Sequence, residues 1–231
     1  MSTILFDRQL KEDDCSRIES ILSGYPLIEP EPATLDKISS MVMDSQITAQ
    51  KYSNIQTGLD DIAMGLMSFL PDDSGHVGPM VKTLLYTYGV TLYRLAISNT
   101  IPTGQLYGAD QYISLATSID NNYHQAYNML GDIWLWIPEK AEKSIRYYKT
   151  ALHYYGGPIY SNLASEDSKD NFIGDNYLKI ALNLTRLHRL DDAELFFAHA
   201  YKLIDSYYGG FSDFNFDGWV GVQEYYLSVE S

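Results

Sequence analysis

Ala126-Tyr127-Asn128-Met129-Leu130-Gly131-Asp132-Ile133-Trp134 sets a small residue, an aromatic, Leu, Gly and a second aromatic at helical spacing. Before it, Ala109, Ile113 and Ala116 stand 4 and 3 apart, and Asp120 and Asn122 mark a turn. After it, Pro138 breaks the chain, and Ser144-Ile145-x-x-Tyr148-x-x-Ala151-Leu152 resumes the same periodicity. The order recurs from Asn176 to Ile204. Tyr177, Ile180, Ala181 and Leu184 form one stripe, His188 to Asp192 a turn, and Ala193, Phe197 and Ala200 a second stripe. Two helices that approach closely need small residues where backbones meet and aromatics where gaps remain. An irregular helical bundle reusing Ala and Tyr would share single positions but not their order.

This ordering resembles the tetratricopeptide (TPR) pattern over roughly residues 80 to 205. Asn121 stands where that pattern has Pro, and Ala181 where it has Gly. A weaker, earlier unit uses Tyr88-Gly89-x-x-Leu92 with Ala109. Ala151 and Ala200 lie further apart than the roughly 34-residue repeat allows, and Gly156 to Asn171 reads as the insertion. The expected fold is all-α, with antiparallel helix pairs stacked as a short TPR-like α-solenoid. The resemblance implies a protein–protein interaction scaffold or adaptor, chaperone-like or a subunit of a larger assembly. Its groove would hold a peptide or helix segment of another protein. Polar or aromatic positions on the first helices are the candidate contacts: Asn128, Trp134, Asn183 and Arg186.

Outside this region, residues 16–22 read as a short helix ended by Gly24 and Pro26, and Pro30 and Pro32 extend the connection. One stripe of 3 and 4 spacing runs from Leu35 to Leu70, as a single helix or as two broken near Gly58. Pro71 to Pro79 reads as a loop, followed by a helix from about Met80 to Asn99. Three regions follow: 1–79, N-terminal helices packed on the repeats; 80–208, the repeats; 209–231, a C-terminal segment. Tyr-Tyr-Gly-Gly occurs at 154–157 and 207–210, and its glycines read as helix C-caps.

That last segment carries the sharpest local motif. Asp213, Asn215, Asp217, Gly218 and Glu224 match positions 1, 3, 5, 6 and 12 of a calcium loop, and Trp219 offers its carbonyl. The loop resembles EF-hand and dockerin-type sites, which implies a structural Ca2+. Calcium-dependent binding is therefore the alternative function.

Composition excludes several classes. The 231 residues hold 30 acids against 16 bases, a net charge of −14, which disfavours nucleic acid and favours a partner with a basic surface. Cys15 is the single cysteine, so no internal disulfide forms. No run is long and apolar enough for membrane insertion, and the first residues lack a signal-peptide core, so a cytoplasmic protein is expected. No phosphate loop, HExxH or nucleophile elbow occurs, and His76, His124, His153, His188 and His199 are scattered. An enzyme is not expected. Twenty tyrosines serve packing and recognition surfaces alike.

Overall fold

Glycine, proline and capping residues punctuate the chain into helices. The computed structural model describes residues 13–55, 58–68, 79–155 and 166–208, and of 79, 166–170 and 204–208 only the backbone course. Among the described residues all regular structure is helical, with no strand. The helices are α1 (Asp14–Ser23), α2 (Leu35–Lys51), α3 (Leu59–Met67), α4 (Pro79–Ile97), α5 (Gln105–Ile119), α6 (His124–Leu135), α7 (Ala141–Tyr155), α8 (Glu166–Arg186) and α9 (Leu190–Tyr208). A 3₁₀ turn, Pro138–Lys140, joins α6 to α7. Two compact units result: a central one, Glu29–Ile133, and a terminal one, Met1–Ile28 with Trp134–Ser231.

In the central unit each of α2, α3 and α4 packs on the next helix, and α4 with α5 is the most extensive pair. The Leu35–Leu70 stripe resolves into two helices. Gly58 takes φ +71°, a left-handed turn that favours glycine. Thr34 caps α2, its hydroxyl accepting from the Lys37 amide at 3.2 Å. Ile38, Val42, Ser45 and Ala49 form the buried face of α2. The small residues there let tyrosines approach the backbone: Tyr88 donates to the Ser45 carbonyl at 2.8 Å, and Tyr112 to that of Met41 at 3.1 Å. The two rings lie 4.6 Å apart, and burial pushes both hydroxyls far above their ordinary pKa. Gly89 sits where α4 meets α5; a Cβ there would lie 2.5 Å from Ile113 Cγ1 and 3.0 Å from the Ala109 carbonyl oxygen. The Asp120–Asn122 turn is held by its own chemistry. Asp120 accepts from the Asn122 amide at 3.1 Å and pairs with Lys82, whose ammonium lies 5.0 Å from the Tyr123 ring centre.

In the terminal unit α8 and α9 form the most extensive pair, with α7 against α8 and α1 against α9. Its core gathers Ile18 and Tyr25 with Ile145, Tyr148, Leu178, Ala181, Leu184, Ala193, Phe196, Phe197 and Ala200. The residues after α1 lie along α7 as an extended strip. Lys149 and Arg146 donate to the carbonyls of Tyr25 and Pro26, and the Ile28 amide donates to Thr150 Oγ1 at 3.0 Å. Helix α8 starts at Glu166, inside the stretch read from sequence as an insertion, and Phe172 on it stacks on Tyr155 with ring centres 4.2 Å apart. Asp191 and Asp192 fall in the first turn of α9, where the helix dipole favours acids.

The ends of α4 and α8 are built alike. Asn99 (φ +56°) and His188 (φ +57°) take the left-handed conformation. The next amide then reaches back to the helix, Thr100 to the Leu95 carbonyl and Arg189 to that of Leu184, both at 2.9 Å. This is a Schellman closure at both helix ends. Gly156, Gly157, Gly209 and Gly210, read as helix caps, lie outside the described residues, as does the 71–78 part of the expected loop.

Candidate interaction surface

Pro138 cannot continue α6, so the chain turns, and the turn brings the start of α7 back over the end of α6. Lys143 then lies with its ammonium 3.5 Å from the centre of the Trp134 ring and 5.7 Å from that of Tyr147. This is cation–π geometry, in which the ring face attracts the cation. Trp134 itself is buried. From α8, Arg186 donates through Nη1 to the carbonyl of Leu135. One turn earlier Asn183 is fully buried; its Nδ2 donates to Ser144 Oγ and to the Lys179 carbonyl, each at 3.0 Å.

Three of the four candidate contacts thus meet in one place. Trp134, Asn183 and Arg186 are joined through Lys143, Ser144 and the Leu135 carbonyl in the terminal unit. Asn183 has no solvent-facing surface there and ties α8 to α7. Asn128, half-buried on α6, belongs to the central unit. Sequence reading passed over Trp136, which is 58% exposed on the turn beyond this cluster. Its signal was an indole two residues before a proline, outside any helical stripe. Lys143 and Arg146 were also passed over, because a helical cation reads as solvated until its neighbours are known.

Asp213, Asn215, Asp217, Trp219 and Glu224, the calcium candidates, lie outside the described residues. Among the described residues no group of three or more His, Cys, Asp or Glu is placed to hold a metal ion. No described helix is long and apolar enough to cross a membrane. His124, the first residue of α6, is buried, and desolvation pushes its pKa down to about 4. His153 packs on Tyr154, His188 makes the left-handed turn, and His199 lies near the Tyr177 ring. His76 lies outside the described residues. No protein-family model, no curated protein and no solved structure matches this chain.

Proposed function

We propose that this chain is a protein-interaction module whose helix pairs repeat in the TPR manner, and that it holds a segment of another protein at the Trp136 surface. The observation that carries the reading is the exposure of Trp136, 58%, on a turn fixed by the Trp134–Lys143 stack and the Arg186–Leu135 bond. An exposed indole on a rigid support is what binding hot spots are made of, since tryptophan contributes large area at small entropic cost. Supporting the repeat reading, Tyr88 and Tyr177 stand equally far before the two matching helix ends at Asn99 and His188. Ala109, Ile113 and Ala116 are buried, as are Ala193, Phe197 and Ala200 at the same spacing. The acidic balance, −14, draws a partner with a basic surface.

Quantitative affinity capture with the full chain and with Trp136→Ala tests this. One protein enriched on the wild type should fall about tenfold or more on the variant, in line with a hot-spot tryptophan. The melting temperatures should differ by at most a few degrees, because most of Trp136 is exposed. Equal capture by both chains sinks the assignment.

A further inference from the structure

The terminal unit contains an open cleft of about 550 Å³. Ser20 and Ile21 of α1, Tyr25 and Pro26 after it, and Glu142 and Arg146 of α7 line it. Arg189 closes one wall, and each of its three guanidinium nitrogens donates one hydrogen bond. Nε and Nη2 donate to Asp192 at 3.0 and 2.7 Å, and Nη1 donates to the Tyr25 hydroxyl at 2.7 Å. These bonds fix the Tyr25 ring as part of the wall. Burial raises the Tyr25 pKa, with Arg189 opposing, so the hydroxyl stays protonated at neutral pH.

Arg146 is differently placed. It makes one hydrogen bond, from Nε to the Pro26 carbonyl at 3.2 Å, and no ion pair among the described residues. That bond orients the guanidinium plane and leaves both Nη groups uncommitted among the described residues. Glu142 stands four residues earlier on the same face of α7 and lines the same cleft. Glu and Arg at this spacing ordinarily pair on a helix. Here they do not, because Arg146 is turned to Pro26. The cleft thus presents one cation and one anion side by side, with Ile21, Pro26 and the Tyr25 ring as an apolar floor.

We propose that this cleft binds a ligand carrying both charges: a carboxylate for the Nη groups of Arg146 and an ammonium for Glu142. A carboxylate is planar and matches two parallel N–H donors, so the Arg146 contact is bidentate. A doubly charged oxyanion such as phosphate would meet Glu142 as a like charge without its compensating ammonium. Two sources supply the required pair: a free α-amino acid with an apolar side chain, or neighbouring acidic and basic side chains of a peptide. The site is independent of the Trp136 surface and of the repeat reading.

Calorimetric titration of the full chain decides it, with four probes: L-leucine, N-acetyl-leucine, leucinamide and the blocked peptide acetyl-Lys-Leu-Asp-amide. Leucine or the blocked peptide should bind, and whichever binds tighter names the source. N-acetyl-leucine and leucinamide, each missing one charge, should bind about tenfold more weakly than leucine if the free amino acid is the ligand. Arg146→Gln should abolish binding, Arg146→Lys should restore a fraction, and Glu142→Gln should weaken leucine without weakening N-acetyl-leucine. Glu142 is exposed, so that variant folds. Absence of heat from leucine and from the peptide at millimolar concentration overturns the proposal. So does binding that survives Arg146→Gln unchanged.

Discussion

A side chain has no space at Gly89. The nearest atoms to a Cβ there belong to Ile113 and to the Ala109 backbone, and the backbone oxygen cannot swing aside. Two effects oppose each other in Gly89→Ala. Helix propensity gains about 1 kcal/mol, while overpacking costs roughly 1–3 kcal/mol. The clash is with backbone on one side, so the cost wins and thermal unfolding should show a melting point lowered by several degrees. A raised melting point would contradict the close approach of α4 and α5. At His124 it is a charge that has no room. The unfolded chain binds the proton near the ordinary 6.5, the folded chain only near 4. Between those values the unfolded state holds more protons, so stability is lost as pH falls through this window. The loss should approach about 3 kcal/mol at the acid end, with about 2 kcal/mol of it reached by pH 5. Melting points at pH 7 and pH 5 for wild type and His124→Gln check this: the variant should lose less between the two. Gly89 was legible in the sequence because glycine beside a helical aromatic has few other uses. Asn183 was not, since a lone amide reads the same whether it faces water or Ser144.

Elements end where local chemistry makes them end, and that is why most boundaries could be read. Pro26, Gly58 and Pro138 act within a turn of themselves. The start of α8 escaped reading because its first residues, Glu166 to Asp170, carry no apolar period; what continues the helix is Phe172 on Tyr155, a contact between chain positions far apart. The close of α8 offers a stability test. A Cβ-bearing residue at φ +57° is strained by about 1 kcal/mol, and the His188 side chain is exposed. His188→Gly should therefore raise the melting temperature by a few degrees, less the added entropy of the unfolded chain. A lower melting point would mean the ring contributes more than the strain costs. The Asp213–Glu224 segment carries its own prediction from the calcium-loop resemblance. Calcium should raise the melting temperature, EDTA should lower it, and Glu224→Gln should remove most of the effect by deleting the bidentate ligand. Titration of metal-free protein with millimolar calcium that gives neither heat nor shift ends that reading.

At the scale of the whole molecule, the all-helical class was legible because the 3.6-residue period runs through every long segment. The division into units was not, because it depends on α1 and residues 25–28 joining α7, α8 and α9. Bonds that span 164 and 175 residues, Arg189 to Tyr25 and Arg17 to Asp192, leave no local trace. Tyr25→Ala removes a core ring and the anchor of Arg189 together, and large aromatic truncations cost about 3–5 kcal/mol. Amide hydrogen exchange should then show faster exchange across α1 and α7 to α9. An unchanged pattern in those helices would mean the strip along α7 contributes nothing to the unit.

The discontinuity also imposes an order on synthesis. The central unit is one uninterrupted run and has all its parts as soon as Ile133 emerges. Ile18 and Tyr25 emerge first and find their seat last. At about 5–20 residues per second, the 164 residues separating Tyr25 from Arg189 take roughly 8 to 30 seconds to make. Through that interval the apolar face of α1 waits for α9, the helix that later packs against it.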